Sequence, residues 1–173
     1  MQILWRLRAA RLSLSAVTPL ESRQLTLLRI RFLIGALVLI AAIVFAELWL
    51  ARQPWKPAFL SPWLLTAIAV PVLIAASFLL PRRRYRAWGY DQREDELIVK
   101  HGNLIRQLTV VPFGRVQHID IAQGPLQRAL GLATLVLNTA GTRGAAVKLP
   151  GLRPDTAEAM RDHIRGKIRQ DLV

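Results

Sequence analysis

The sequence predicts an α+β membrane protein, in which a two-helix transmembrane hairpin precedes a small barrel or sandwich of about seven antiparallel strands capped by a C-terminal helix. Three observations support this fold class. Two apolar segments, residues 32–50 and 62–80, flank the short loop 51–61. After Leu80 the chain changes to short apolar runs separated by turn residues, which is typical of strands. The last part of the chain has the apolar spacing of an amphipathic helix.

Length and composition limit what else the chain can contain. Its 173 residues leave room for the hairpin and one small domain. The chain has no cysteine, which excludes disulfides, thiolate metal sites and thiol catalysis. The formal charge of +13 could indicate nucleic-acid binding, so the position of the basic residues has to decide.

The first apolar segment, residues 32–50, contains a single charged residue, Glu47, and is rich in leucine, isoleucine, valine and phenylalanine. On an insertion scale these side chains favour the bilayer by about 4 to 7 kcal/mol. The sequence Thr18-Pro19-Leu20-Glu21 has the spacing of a capping box, which predicts a helix from Pro19 into the membrane. Residues 1–31 form a basic leader, whose first 17 residues are either an interfacial helix or disordered.

The second segment, residues 62–80, has no charge, and Ser61-Pro62 predicts its helix start. At about 1.5 Å per residue, either segment spans a hydrocarbon core of roughly 30 Å. Pro81 is expected to end this helix. Glu47, near the outer end of the first segment, is interpreted as an acid that reaches the interface, with a functional intramembrane carboxylate as the alternative.

Basic residues concentrate before the first apolar segment and after the second, whereas the loop between them carries only Arg52 and Lys56. The positive-inside rule therefore places the N-terminus and the domain 81–173 in the cytoplasm. The basic cluster of residues 82–86 consists of Arg82, Arg83, Arg84 and Arg86. At roughly 1 kcal/mol per basic residue, this arginine cluster is a candidate contact for anionic lipid such as phosphatidylglycerol or cardiolipin. A topology signal is the simpler interpretation, and both can hold.

The domain is predicted from its alternating pattern and turn residues. Candidate strands are residues 85–90, 96–101, 104–111, 115–123, 133–139 and 145–149. Hairpin turns are expected at His101-Gly102-Asn103-Leu104 and Gly141-Thr142-Arg143-Gly144, and one or two helical turns between Gly124 and Gly131. The last helix is expected to be capped by Asp155, with Ala157, Met160, Ile164 and Ile168 on one side.

The chain resembles the bacterial pleckstrin-homology-like (PH-like) membrane proteins of the YdbS type over roughly residues 20–172. The resemblance rests on Trp88, Tyr90, Gly102, Pro112, Arg115-Val116-Gln117, Gly124-Pro125-Leu126-Gln127-Arg128, Gly131-Leu132-Ala133, Thr139-Ala140-Gly141 and the terminal helix. It implies two bent antiparallel sheets closed at one end by that helix. It also implies a protein of the bacterial inner membrane. It also implies a frequent companion, a larger membrane protein with several copies of the same domain. The basic leader before Thr18 has no counterpart.

Arg115, Gln117 and Arg128, with Gly124, Pro125 and Gly131, form the candidate motif site. Arginine can hold backbone carbonyls in the turn or bind a partner's carboxylate, and the structural role is favoured.

No catalytic, metal or cofactor site is predicted. His118 and Asp120 lie two residues apart on one strand face, but no nucleophile accompanies them, so a solvated face is expected. The histidines lack ligand spacing.

The leading hypothesis is a non-enzymatic membrane protein whose domain binds protein partners, as a homo-oligomer or with the larger companion, and touches anionic lipid. Envelope stress or toxin resistance is a context the family allows. An accessory subunit of a transporter or membrane enzyme, using Glu47 and Pro71, is the alternative. Nucleic-acid binding ranks last, because residues 89–173 carry twelve basic against nine acidic side chains, a net of +3. No small-molecule substrate is evident.

Overall fold

The computed structural model describes residues 18–53, 63–102, 105–139 and 146–170. The leader 1–17, the Ser61-Pro62 helix start, most of the hairpin loop, Asn103-Leu104 and the Gly141–Gly144 turn lie outside the described residues. The helices are α1 (Ser22–Ala51), α2 (Leu64–Arg86), α3 (Pro125–Ala129) and α4 (Pro154–Gln170). The strands are β1 (Gly89–Gln92), β2 (Glu96–His101), β3 (Gln107–Pro112), β4 (Val116–Ala122), β5 (Ala133–Thr139) and β6 (Ala146–Leu152).

Helices α1 and α2 are long and apolar enough to cross a membrane. Only 6% of the most apolar window of α1 and 11% of that of α2 are buried. A core helix of a soluble domain would bury most of its apolar side chains. The exposed apolar surface of both helices therefore favours lipid as their surroundings.

The ends of both long helices differ from the sequence prediction. Helix α1 begins at Ser22 rather than Pro19, and α2 continues through Pro81 to Arg86. Proline removes one backbone N–H donor. The residues after Pro81 still donate their N–H groups to carbonyls one turn earlier, so the carbonyls near the end of the apolar helix keep hydrogen-bond partners. The predicted stop at Pro81 and the predicted first strand 85–90 are therefore wrong, and β1 begins at Gly89.

Of the described residues, 25–83 form one compact unit and 18–24 with 84–170 form the other. Within the first unit, both carboxylate oxygens of Glu47 are hydrogen-bonded to Thr66, near the start of α2. The Thr66 backbone N–H donates to Glu47 Oε1 at 3.1 Å and its hydroxyl donates to Oε2 at 2.6 Å. The N–H groups of a first helical turn have no partner within their own helix. Glu47 supplies one such partner to α2.

The second unit contains two antiparallel sheets with strand orders β1-β2-β3 and β4-β5-β6. A 3-10 turn, Phe113–Arg115, connects them. The described residues contain six strands rather than seven, and no ladder joins the two sheets, so the predicted closed barrel is wrong and the two-sheet alternative is correct. After the 3-10 turn the chain enters a second sheet, and β4 does not pair with β3. Each sheet therefore has two edge strands.

Side chains from both sheets and α4 form one hydrophobic core. Its members include Leu97, Val99, Val111, Phe113, Leu135, Leu137, Leu149, Ala157, Met160 and Ile164. Fully burying one leucine or isoleucine side chain contributes about 1.5 to 3 kcal/mol, so this cluster is the main source of stability. The predicted apolar face of the last helix is confirmed, although the helix begins at Pro154 and Asp155 lies in its first turn.

Residues 18–21 belong to this domain, and Thr18 does not cap α1. Thr18 and Tyr90 pair as an isolated antiparallel bridge, with Thr18 N–H donating to Tyr90 C=O at 2.8 Å and Tyr90 N–H donating to Thr18 C=O at 3.1 Å. Leu20 is 4% exposed and belongs to the core. The predicted capping box at Thr18 is therefore wrong, because its backbone groups pair with β1 instead.

Candidate functional site

The arginine cluster lies on the last turns of α2, in one continuous helix with the apolar segment before it. Arg82, Arg83, Arg84 and Arg86 are all exposed. At about 1.5 Å per residue, they follow Leu80 within roughly 9 Å, a depth comparable with the headgroup region beside the hydrocarbon core. The cluster can therefore reach lipid phosphates if α2 crosses the bilayer.

Besides the Thr18–Tyr90 bridge, three contacts hold residues 18–24, the 18–24 segment, against the rest of the domain. The Glu21 backbone N–H donates to Gly151 C=O at 3.0 Å. The Tyr85 hydroxyl donates to Leu20 C=O at 2.6 Å, and Arg23 Nη1 donates to Leu130 C=O at 3.4 Å. Together with the Thr18 bridge, these bonds make residues 18–24 a structural part of the domain.

Gly151 allows the closest approach along this segment. Its φ is +74°, and a Cβ built at this position would lie 2.8 Å from Cγ of Gln24. Positive φ is strained for other residues, and the space is already filled by the glutamine side chain. Only glycine fits here without a shift of the segment.

A cavity of about 280 Å³ lies beside the 18–24 segment. Its lining includes Glu21, Tyr85, Tyr90, Arg153 and Thr156. Burial raises the pKa of Tyr90, and the negative charge of Glu21 raises it further. The phenol therefore stays protonated well into the alkaline range and is a neutral polar group in this cavity.

The predicted helical turns between Gly124 and Gly131 are confirmed as α3, and Gln127 holds them. Gly124 N–H donates to Gln127 Oε1 at 2.9 Å, and Gln127 Nε2 donates to Thr134 Oγ1 at 2.8 Å. Gln127 is only 9% exposed. Gly131 adopts a φ of +63° after the helix, as a helix-ending glycine does. The buried amide of Gln127 thus fixes the turn to β5.

Sequence reasoning missed the role of Gln127 and chose its neighbour Arg128. The available signal was spacing, because glutamine three residues after Gly124 has the arrangement of half a capping box.

Arg115, Gln117 and Arg128 are exposed, and no hydrogen bond or ion pair of their side chains occurs among the described residues. Arg115 ends the 3-10 turn, Gln117 lies on β4, and Arg128 lies on α3. Pro125 begins α3 directly after Gly124. Whether the two arginines bind a partner stays a prediction, and their free guanidinium groups could form bidentate bonds with a carboxylate.

His118 Nε2 lies 4.0 Å from Asp120 Oδ1, and the two side chains are 76% and 56% exposed. Solvent screens such a pair, and it has no buried environment that would activate it. In the described part of the chain, no three histidine or acidic side chains are grouped as metal ligands. The arrangement is that of a solvated strand face.

Comparison with known proteins places these features in context. The family model described as Bacterial PH domain matches residues 14–168. The UPF0699 transmembrane protein YdbS of Bacillus subtilis (strain 168) is 35% identical over 91 residues, which are 53% of this chain and 55% of that protein. The chain thus spans about half the length of this curated relative. No solved structure matches the chain.

Proposed function

Because the chain belongs to the bacterial PH domain family, we propose that it is a non-enzymatic inner-membrane protein whose PH-like domain assembles proteins at an anionic lipid surface. The family and its YdbS-type resemblance are confirmed, and the chain is a membrane protein with transmembrane helices. The proposal adds the cytoplasmic orientation, the lipid contact and the protein partners.

The observation that carries the proposal is the unbroken course of α2 from its apolar segment into the arginine cluster. A flexible linker would let four arginines move away from the bilayer, whereas a continuous helix holds them next to it. At roughly 1 kcal/mol for each basic residue near an anionic leaflet, the cluster contributes several kcal/mol of attraction, which salt weakens.

Retention of lipid by the intact protein tests this contact. We expect the protein purified in mild detergent to retain phosphatidylglycerol or cardiolipin, measured by native mass spectrometry. Replacing Arg82, Arg83, Arg84 and Arg86 together by glutamine should remove most of the retained anionic lipid. The matched replacement by lysine keeps the charge and should keep the lipid. Equal retention by the glutamine and lysine variants would exclude the cluster as the lipid contact.

The protein partners are proposed to contact the exposed side chains of Arg115 and Arg128. The resemblance suggests a larger membrane protein with several such domains, or further copies of this chain, as the partner. Co-purification followed by mass spectrometry should identify proteins that remain with the intact chain and are lost from the Arg115→Ala/Arg128→Ala variant. An unchanged set of partners would exclude these two arginines as the partner contact.

The alternative role as a transporter or enzyme subunit would use Glu47 as an intramembrane carboxylate. Both oxygens of Glu47 are already hydrogen-bonded to Thr66. A carboxylate with such bonds has a structural contact that an ion or proton would have to displace, which favours the assembly role.

A further inference from the structure

The four edge strands of the two sheets differ in how they are protected from pairing with another chain. An exposed edge presents unpaired N–H and C=O groups, and native proteins block it with charges, proline, bulges or a covering segment. Thr18 covers β1 through two backbone bonds. Strand β6 carries Lys148 and Pro150, and the Glu21 N–H occupies Gly151 C=O.

Strand β4 is protected by irregularity and charge. Its pairing with β5 is shifted between Val116 and His118, which marks a bulge. Asp120 on the same strand is exposed. Bulges bend a strand, and charged side chains resist burial in a new sheet. Three of the four edges are therefore poor templates for a further strand.

Strand β3 has none of these protections along most of its length. Its sequence from Gln107 to Val111 contains no charge, proline or bulge, and Pro112 stands only at its end. Leu108 is 45% exposed and Val110 is 46% exposed. Within the described residues β3 pairs on one side only, with β2. An uncharged edge with exposed apolar side chains is the feature expected of a strand that receives a partner.

The hydrogen-bond pattern shows which backbone groups of β3 are free. Phe113 N–H donates to Asp95 C=O at 2.9 Å, which extends the β2–β3 ladder by one pair. Because bonded and non-bonded pairs alternate in an antiparallel ladder, Thr109 and Val111 direct their backbone groups towards β2. The N–H and C=O groups of Leu108 and Val110 therefore point away from the sheet, to the free edge.

We propose that β3 pairs antiparallel with β3 of a second copy of this chain. The pairing rests on the proposed assembly role and assigns self-association to β3, apart from the partner contact proposed for Arg115 and Arg128. Centred on Thr109, this register places Leu108 opposite Val110 of the second copy, so that they exchange both backbone bonds. Their side chains meet on the outer face, and apolar cross-strand pairs stabilise a sheet.

Charge favours a second copy in this antiparallel direction. The residue flanking β3 is Arg106, and side-by-side parallel strands would place two Arg106 side chains together. In the antiparallel register the two Arg106 residues are about 20 Å apart at roughly 3.4 Å per residue, beyond the Debye length of about 8 Å at physiological salt. Self-pairing therefore brings no like charges together.

Disulfide trapping tests the register directly, since the natural chain contains no cysteine. In a non-hydrogen-bonded pair the two Thr109 Cα atoms would be about 4.5 Å apart, within the range that a disulfide bridges. We expect the full-length Thr109→Cys protein, oxidised mildly in its membrane, to form a crosslinked dimer. His118→Cys is the matched control, because this side chain lies on the protected strand β4 and is 76% exposed. Crosslinking of Thr109→Cys no greater than that of the control would overturn the proposal.

A charge placed on the edge provides an independent measurement. Val110→Lys puts two lysines into the interface, and we expect it to weaken dimerisation of the full-length chain in lipid bilayers about ten-fold or more. His118→Lys adds the same charge to an exposed position of β4 and should leave the dimer unchanged. A monomeric wild type at every protein density, or a Val110→Lys variant as dimeric as the wild type, would overturn the pairing. A Val110→Lys variant that stays dimeric but retains less lipid would assign the face to lipid and also overturn it.

Discussion

Thr18 and Tyr90 exchange two backbone hydrogen bonds, although the whole helical hairpin separates them in the sequence. Residues 18–21, before α1, and the strands after α2 therefore belong to one folded domain. Such a bridge requires both ends of the hairpin to lie on the same side of a membrane, whichever side that is.

The first prediction concerns this topology. In sealed vesicles, a membrane-impermeant thiol reagent should label Ser22→Cys and Arg106→Cys from one side and Arg52→Cys only from the other. The three positions are exposed, and the natural chain has no cysteine to interfere. Labelling of all three positions from the same side would exclude two membrane crossings.

The second prediction concerns Gly151 beside Gln24. Gly151→Ala should lower the free energy of unfolding by about 1 to 3 kcal/mol, because a residue with positive φ is strained and the new Cβ meets Gln24. Gly166→Ala is the matched control, since a Cβ at this position in α4 meets nothing within 4 Å. It should leave stability unchanged or raise it by up to about 1 kcal/mol. Thermal unfolding of the intact protein in mild detergent measures both.

The third prediction separates Gln127 from Arg128. Gln127→Ala should destabilise the domain by about 1 to 3 kcal/mol, because the Gly124 N–H and the Thr134 hydroxyl lose their partner. Arg128→Ala should stay within about 0.5 kcal/mol of the natural chain, as exposed substitutions usually do. Equal unfolding temperatures for the two variants would contradict the role of Gln127 in holding the turn.

The fourth prediction concerns Glu47 and Thr66. Glu47→Ala removes two hydrogen bonds between the helices, and Thr66→Val removes only the one from the hydroxyl. At about 0.6 to 2 kcal/mol for such contacts in membranes, Glu47→Ala should destabilise the hairpin more than Thr66→Val does. Protein assembly should remain unchanged in both. Loss of assembly or of phenotype with intact folding in Glu47→Ala would instead support the transporter or enzyme role.

The fifth prediction is a pH dependence from Tyr90. Its pKa in the folded domain is raised above the ordinary value of 10.0. Above pH 10 the unfolded chain releases this proton before the folded chain does, so stability that is present at lower pH is lost as the pH rises through the folded pKa. Tyr90→Phe should reduce this alkaline loss.

The chain has two tyrosines, so Tyr90 can be titrated alone in the Tyr85→Phe variant. Its near-ultraviolet absorbance should change at a higher pH than that of the unfolded chain. A midpoint at or below the unfolded value would contradict the buried environment of Tyr90. Tyr85→Phe should also cost stability at every pH, because it removes the bond to Leu20 C=O.

The elements that sequence predicts well are those defined by local pattern. Strands β2 and β5 have the predicted bounds, because alternating or β-branched residues end at glycine and polar turns on either side. The turn at α3 was also predicted, since glycine marks both of its ends. These signals depend on neighbouring residues alone.

Features that depend on distant residues were not predictable in this way. A threonine three residues before a glutamate resembles a helix cap, and only the folded domain shows that Thr18 pairs with Tyr90 instead. Pro81 resembles a helix end, yet the helix continues and carries the arginine cluster. The site residue Gln127 was overlooked because a buried amide is recognisable only when its partner Thr134, on the next strand, is known.

Placement of residues 18–24 within the domain also determines the order of events during synthesis. The ribosome makes this segment first, then the whole hairpin, and only afterwards the strands against which it packs. The early segment must therefore wait without its partners, and closing so long a loop slows folding. We expect the hairpin to enter the bilayer before the domain matures, so a chain truncated after Arg86 would be inserted in the membrane but still sensitive to protease within residues 18–24.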